Sequence, residues 1–230
     1  RLRDFDFDGI DINMGCPDKT IVKRGACSGL INNPTLAKEI TSATREGADG
    51  LPISVKTRIG YKNIETEKWI GFLLGLKLDA LTIHARIVSE LSKVPAHWDE
   101  IGKVVRLRDS MKAKTLIIGN GDVKNLRDAD EKYRKYKVDG IMIGRGIFDN
   151  LWMFNKNIDP KNISYKEKLR LLIKHIELFD KTWRRTKNFA LMKKFYKIYI
   201  SDVPDASDFR ARLMELKTAQ DTLKFLRLRI

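Results

Sequence analysis

A thiol and an amide follow a short alternating segment near the beginning of the sequence. Residues 10–13 alternate apolar and polar side chains and end at Asn13, and Cys16 and Pro17 follow shortly after. In barrel enzymes, polar residues at the carboxyl ends of strands carry out the chemistry. Because Pro17 restricts the backbone, the Cys16 thiol has a defined direction, which suits proton transfer better than packing. These observations predict a functional role for Cys16.

Short apolar segments alternate with longer amphipathic segments over the first two-thirds of the chain. The predicted strands cover residues 9–14, 53–57, 80–85, 115–118 and 140–143. The predicted helices cover residues 35–46, 65–76, 98–112 and 124–135. This alternation indicates βαβ units and a parallel sheet.

Polar side chains share one face of three predicted strands and become more reactive toward the carboxyl end. They are Asp11, Asn13, Lys56, Arg58, His84 and Arg86. A polar layer at the strand ends is typical of a (β/α)8 barrel. Taken singly, Lys56 could be an exposed strand-end lysine and His84 a hydrogen-bonded core histidine.

Two predicted strands end in glycine-rich turns. The turns occupy residues 117–123 and 142–146, and the second includes Arg145. Unobstructed backbone N–H groups, a following helix and a guanidinium group all favour phosphate. Barrels often bind phosphate in the loops after strands seven and eight. We therefore predict a phosphate site at these neighbouring strand ends.

Positive charge is concentrated toward the carboxyl end of the chain. The sequence has 45 lysines and arginines against 30 acidic residues, a net charge of +15. Residues 161–230 hold 18 basic and 8 acidic residues, a net charge of +10, and read as amphipathic helices. We therefore divide the sequence into domains 1–157 and 158–230. A basic helical domain favours a polyanionic partner, although a solvated basic surface gives the same pattern.

The composition also argues against several classes of protein. No run of 18 or more apolar residues occurs, so we expect no membrane span. The two cysteines, Cys16 and Cys27, are too few for a disulfide framework, which favours a reducing cytoplasm. Neither has partners at metal-ligand spacing, so we expect no metal site. Cys27 lies among small residues, which favours packing.

Together these motifs resemble those of the tRNA-dihydrouridine synthase family, in order and in spacing, over about 140 residues. The motifs are Asn13-Met14-Gly15-Cys16-Pro17 with Gly25-Ala26, Val55-Lys56-Thr57-Arg58, Thr82-Ile83-His84-Ala85-Arg86, Gly119-Asn120-Gly121-Asp122 and Ile143-Gly144-Arg145-Gly146. The resemblance implies a (β/α)8 TIM barrel that binds FMN, followed by a small all-α domain that binds tRNA. It also implies that NADPH recharges the flavin, which reduces uridine to dihydrouridine.

The resemblance also implies a role for each site residue. Cys16 is expected to protonate C5 of uridine while hydride from the flavin reaches C6. Asn13 is expected to hold the uracil edge, and Arg58 and Arg86 to face the substrate or a cofactor phosphate. The expected cofactor-binding residues are Lys56, His84, Asn120, Gly121, Asp122, Gly144 and Arg145. The protein is expected to act as a monomer.

The sequence departs from the family at its beginning. Chains of this family begin with three barrel strands ahead of the asparagine–cysteine motif, whereas about ten residues precede that motif here. Because five strands cannot close an eight-stranded barrel, we expect an N-terminally truncated member that lacks about three strands.

Two other functions are compatible with parts of the sequence. A dihydroorotate-dehydrogenase-like flavin barrel also carries an asparagine, cysteine and proline at a strand end, but it leaves the basic helical segment unexplained. A tRNA-binding protein without catalysis would account for that segment and for an incomplete flavin site.

Overall fold

The computed structural model describes residues 6–201 and 205–230. The chain divides into two compact units, the first ending at Ile147 and the second covering Phe148–Ile230. The boundary predicted from the sequence lies later, after residue 157. All the residues predicted to form the active site belong to the first unit.

Five parallel strands form the sheet of the first unit. They are β1 (Ile10–Met14), β2 (Ile53–Arg58), β3 (Ala80–His84), β4 (Leu116–Asn120) and β5 (Gly140–Met142). Strands that follow one another along the chain are neighbours in the sheet, in the order β1-β2-β3-β4-β5. The structure therefore confirms the predicted parallel sheet, and its sequential order is that of a (β/α)8 barrel. Closure into a barrel stays a prediction.

Helices connect these strands. They are α1 (Lys19–Lys23), α2 (Pro34–Ala48), α3 (Gly71–Gly75), α4 (Trp98–Ser110) and α5 (Leu126–Tyr136). The side chain of Asn33 caps α2 and Pro34 occupies its first turn, where proline loses no hydrogen bond. The predicted helix at 65–76 is observed as a π-helical turn, Thr66–Ile70, that continues into α3.

The sheet and α4 approach each other most closely at Gly119. A Cβ atom on Gly119 would lie 2.6 Å from the ring of Trp98, closer than any real contact of this kind. The indole Nε1 of Trp98 donates a hydrogen bond to the carbonyl of Gly121, at 2.8 Å. The helix is thus fixed against the carboxyl end of β4 by both packing and a hydrogen bond.

The described part of the second unit is built on helices. They are α6 (Tyr165–Trp183), α7 (Ala190–Lys193), α8 (Tyr196–Tyr199), α9 (Ala206–Glu215) and α10 (Ala219–Arg227). A capping box of Ser164 and Glu167 begins α6, and its buried side chains include Leu169, Leu172 and Ile176. None of the helices described in either unit is long and apolar enough to cross a membrane.

Most aromatic side chains of the second unit pack into its core. Tyr196 and Tyr199 are buried, and Phe189 and Phe195 pack against the same cluster. Trp183 differs, because the residue is 40% exposed and the Lys187 ammonium lies 3.7 Å from the centre of its ring. This pair is a surface cation–π contact.

Replacement of Gly119 by alanine is expected to lower the free energy of unfolding by roughly 1–3 kcal/mol, because the new methyl group overlaps the Trp98 ring. Gly47→Ala is the matched control: nothing lies within 4 Å of its added Cβ, and it belongs to α2. That control should be neutral or stabilising by up to ~1 kcal/mol. Urea unfolding of both variants provides the measurement, and equal stabilities would contradict the close packing at Gly119.

Candidate active site

The turn that carries Cys16 is fixed by the side chain of Asn13. The Oδ1 atom of Asn13 accepts hydrogen bonds from the backbone N–H groups of Gly15 and Cys16, each at 3.0 Å. The carbonyl of Cys16 accepts a further bond from the N–H of Ser28, at 3.3 Å. Because these bonds hold the backbone on both sides of the thiol, the half-buried Cys16 has a defined position at the end of β1.

The strand register brings the predicted site residues together. Asn13 of β1 is paired with Lys56 of β2, and Arg58 of β2 is paired with His84 of β3. His84 is in turn paired with Asn120 of β4. Residues that alternate along a strand share a face, so Lys56 and Arg58 project on the same side. The ends of four neighbouring strands therefore contribute to one site.

Lys56 is half-buried at the centre of this arrangement. Burial lowers the pKa of its ammonium group, the nearby Arg58 charge lowers it further, and Asp11 opposes the shift. Burial is the larger cause of the lowered pKa, and the second cation close by makes the surroundings of Lys56 electropositive. Such a surrounding favours an anion or a developing negative charge.

Arg58 links the turn after β1 to the segment after β3. Its Nε donates to the carbonyl of Gly15 at 2.9 Å, and its Nη1 donates to the carbonyls of Ile87 and Leu91, each at 3.2 Å. Only 6% of Arg58 is exposed. These bonds hold the backbone beside Cys16, whereas contact with substrate stays a prediction.

Arg86 is fixed from three directions. Its Nε donates to the carbonyl of Val94 at 2.6 Å, its Nη2 to the carboxylate of Asp122 at 2.5 Å, and its Nη1 lies 3.1 Å from Nε2 of His84. Arg86 is 3% exposed. The contact with substrate or phosphate predicted for it is likewise not seen among these bonds and stays a prediction.

Asp122 accepts hydrogen bonds from Arg86 and from the loop before α4. Its Oδ2 atom accepts the bond from Arg86 and another from the N–H of Ala96, at 2.8 Å. Burial alone would raise the pKa of Asp122, but these two hydrogen bonds and nearby arginines lower it. A carboxylate engaged in this way opposes an anion at the neighbouring glycine turns less strongly than a free one would.

His84 lies among cations. Burial lowers its pKa to about 3, with Arg58, Lys56 and Arg86 acting in the same direction and Asp122 against it. The imidazole is therefore neutral near pH 7. A neutral ring can accept one hydrogen bond and donate another, but it does not add a positive charge.

The ends of β4 and β5 have the features of a phosphate site. The Nδ2 of Asn120 donates to the carbonyl of Met142, at 2.8 Å, which ties the two strand ends together. Gly121 has a φ of +129°, and a Cβ there would lie 2.8 Å from Ala96. By contrast, the nearest atom to a Cβ on Gly144 would be 4.0 Å away, and Arg145 beside it is exposed. Open backbone next to a guanidinium group fits a phosphate.

Residues 87–96, between Arg86 and α4, were not identified from the sequence as contributors to the site. They supply the carbonyls of Ile87, Leu91 and Val94 and the N–H of Ala96 to Arg58, Arg86 and Asp122. Because these contacts use backbone atoms, no residue type in the segment signals them. The one available signal was an arginine at a predicted strand end with no acidic residue adjacent in sequence, because its N–H donors must then find acceptors elsewhere.

The sequence model of the family described as dihydrouridine synthase (Dus) matches residues 2–230. The chain therefore belongs to the dihydrouridine synthase family, which confirms the resemblance seen in the motifs. The family consists of oxidoreductases that reduce uridines in tRNA.

Relatives from two bacterial genera show the same relationship. A probable tRNA-dihydrouridine synthase of Staphylococcus epidermidis is 41% identical over 227 residues, covering 98% of this chain and 68% of the relative. The protein of the same name from Staphylococcus aureus is 40% identical over 228 residues, with the same coverage. The probable tRNA-dihydrouridine synthase 2 of Bacillus subtilis is 39% identical over 227 residues, covering 98% of this chain and 69% of the relative.

One solved structure has a weaker likeness. The crystal structure of 2,3-dimethylmalate lyase, a member of the PEP mutase/isocitrate lyase superfamily, is 12% identical, with a TM-score of 0.45. The match covers 67% of this chain and 56% of that one, and it bears on neither fold nor function.

Replacement of Arg58 by methionine is expected to lower the free energy of unfolding by roughly 2–4 kcal/mol, because three carbonyls lose their donor in a buried place. Arg45→Met is the matched control, since Arg45 also donates to two carbonyls, those of Leu76 and Lys77, but is exposed. That loss should stay below about 1 kcal/mol. Equal losses in urea unfolding would argue against a buried clamp at Arg58.

His84 is expected to make the protein less stable in acid. Its folded pKa of about 3 lies below the value of 6.5 taken for the unfolded chain, so the unfolded state binds more protons between these values. Stability therefore falls as the pH drops below about 6.5. His84→Asn should lose less stability than the unchanged protein between about pH 7.5 and about pH 5. An identical loss, measured by urea unfolding at both pH values, would show that His84 is not held neutral.

Proposed function

We propose that this protein reduces uridine in tRNA to 5,6-dihydrouridine, with FMN as bound cofactor and NADPH as reductant. Family membership supports the reaction class. The observation that carries the proposal is the register of β1 and β2, which pairs Asn13 with Lys56 and so brings the Cys16 turn beside a half-buried cation. An acid and a cation on adjacent strand ends suit the reduction of a ring that must gain a proton and a hydride.

The residues of this chain fit FMN at the ends of β4 and β5. Asn120, Gly121, Gly144 and Arg145 would hold its phosphate, as the open backbone at Gly144 and the exposed guanidinium of Arg145 suggest. Lys56 and His84 would lie against the ring system. When bound, FMN supplies the hydride that is added to C6 of uracil. The protein supplies position and electrostatics.

Cys16 would supply the proton. The S–H bond of Cys16 breaks as a C–H bond forms at C5 of uracil, and the thiolate that remains is reprotonated by solvent. The guanidinium of Arg58 interacts electrostatically with Cys16, so positive charge lies near the thiolate. A positioned acid of this kind contributes roughly 10²–10⁴-fold to the rate.

Asn13 would hold the uracil edge with the part of its amide that the turn does not use. Its Oδ1 atom is engaged by the N–H groups of Gly15 and Cys16. Its Nδ2 atom has no partner among the residues that the structure describes, and the side chain is exposed. An amide N–H donor in this place suits a carbonyl oxygen of uracil. The Asn13 side chain would then orient both the Cys16 thiol and the uracil ring that receives its proton.

The second unit would bind the tRNA backbone. Residues 161–230 have a net charge of +10, and the helices that carry this charge pack around their own apolar core. Lysine and arginine contacts with phosphate give affinity without reading sequence. Their binding energy would offset the few kcal/mol needed to extrude the target base from the folded RNA. We propose that the protein acts as a monomer in the cytoplasm.

Cys16→Ala is expected to reduce dihydrouridine formation by roughly 10²–10⁴-fold, because the acid is lost while the cofactor site is intact. The assay supplies FMN, NADPH and tRNA that lacks dihydrouridine, and product is counted by mass spectrometry of nucleosides. Cys27→Ser is the matched control and should retain activity, since Cys27 lies in a 3-10 turn outside the strand ends.

Unchanged product from Cys16→Ala would remove Cys16 from the mechanism. If the unaltered chain binds tRNA but forms no dihydrouridine, the non-catalytic alternative is favoured. Oxidation of dihydroorotate without any effect on RNA would favour the small-molecule flavin enzyme.

A further inference from the structure

The two nitrogens of His84 have different surroundings. Nε2 lies 3.1 Å from Nη1 of Arg86. Nδ1 has no hydrogen-bond partner among residues 6–201 and 205–230. The ring is half-buried, and its Cδ2 atom, next to Nε2, would lie 3.3 Å from a Cβ added to Gly121. One edge of the imidazole is therefore fixed inside the protein, and the other is left for a ligand.

Arg86 determines which nitrogen of His84 carries the proton. A guanidinium group has only N–H donors and no acceptor, so the atom that faces it must present a lone pair. Arg86 cannot turn away, because its Nε donates to the carbonyl of Val94 and its Nη2 to Asp122, and it is 3% exposed. Nε2 of His84 is therefore the acceptor, and a neutral ring then has its proton on Nδ1.

We propose that Arg86 is a positioning residue that fixes His84 as the neutral, Nδ1-protonated tautomer, which donates a hydrogen bond to the ring system of an anionic ligand bound at the carboxyl ends of the strands. The tautomer follows from the contacts of this chain alone. The identity of the ligand as FMN rests on the proposed function. Nδ1 is the ring atom that contacts the ligand, and Nε2 is the atom held by Arg86.

Burial, and after it the charges around His84, keep the ring neutral. Lys56 and Arg58 on β2 and Arg86 after β3 all disfavour an imidazolium, and Asp122 after β4 is the one opposing charge among the groups that act on it. Asp122 is itself engaged by Arg86, which weakens its attraction for a protonated ring. Burial acts in the same direction as the three cations and lowers the pKa of His84 to about 3.

A neutral histidine has a consequence for the reaction. It offers an N–H donor to the ligand, but it does not compete with Cys16 as a proton donor at neutral pH, since its acidic form is not populated. Proton donation and ligand binding are thus assigned to different side chains. Lys56 and Arg145 supply positive charge near the ligand, and His84 supplies a directional hydrogen bond that orients it.

Nuclear magnetic resonance tests the tautomer directly. The chain has three histidines, so long-range correlations between ring protons and nitrogen-15 give three sets of signals, and His84→Gln identifies one of them. We expect a protonated Nδ1 and an unprotonated Nε2 for His84, unchanged from about pH 8 to about pH 5. A proton on Nε2, or protonation of both nitrogens within this range, would overturn the proposal.

A variant of Arg86 tests the cause. In Arg86→Met the donor facing Nε2 is lost, so the Nε2-protonated form should appear. The indole N–H signal of Trp69, which donates to Thr57 in the core of the same unit, should be unchanged as a check on folding. Retention of the Nδ1 tautomer in a folded variant would show that Arg86 does not set it. If the variant does not fold, the pH series on the unaltered chain still decides the tautomer.

Two substitutions of His84 test the donor role toward FMN. Asparagine places an N–H donor near the position of Nδ1, whereas glutamine places its amide near Nε2. FMN should bind about tenfold more weakly to His84→Gln than to His84→Asn, as measured by flavin fluorescence. Equal binding would refute the donor role. If the unaltered chain binds no FMN, the proposed cofactor is wrong, and the tautomer result is unaffected.

Discussion

Two buried guanidinium groups hold the site together. Arg58 and Arg86 each occupy the carboxyl end of the sheet, and each donates to backbone carbonyls of the segment between β3 and α4. Arg58 also holds the turn that carries Cys16. A buried positive charge is costly unless its donors are satisfied, so the surrounding backbone must keep its shape. The loops at these strand ends are ordered around the two arginines.

The same two arginines determine the electrostatics of the strand ends. With Lys56 they form a group of three cations, and Asp122 is bonded to one of them. Their hydrogen bonds are used within the protein, but their positive potential extends to the ligand side of the sheet. Burial and these cations together keep His84 neutral, and the same cations favour an anion at the strand ends.

Much of the fold could be predicted from the sequence. Side chains alternate along the strands because one face is buried, and an asparagine followed by proline begins α2 because both suit a helix start. The π-helical turn at Thr66–Ile70 could not be anticipated, since periodicity alone does not distinguish it from an α-helix. The sequence also gave no indication that Trp98 closes over Gly119.

The proximity of the candidate site residues could be predicted from the sequence, but their hydrogen bonds could not. Cys16, Lys56 and His84 are brought together by strand register, as their positions at strand ends predict. The resemblance implies that Arg58 and Arg86 face the substrate or a cofactor phosphate, which stays a prediction, and it gave no indication of their bonds to backbone carbonyls. Every residue has a backbone carbonyl oxygen. The residue types at Leu91 and Val94 therefore do not indicate that their carbonyls accept hydrogen bonds from the arginines.

Anchoring through the main chain has a consequence for divergence within the family. Leu91 and Val94 hold the arginines by their carbonyls, and the Leu91 side chain is 39% exposed. Substitution at such positions changes the surface that the loop presents and leaves the bond to the arginine intact. The loop can therefore acquire new side chains, and with them a different exposed surface, while the hydrogen bonds to the two arginines are inherited unchanged.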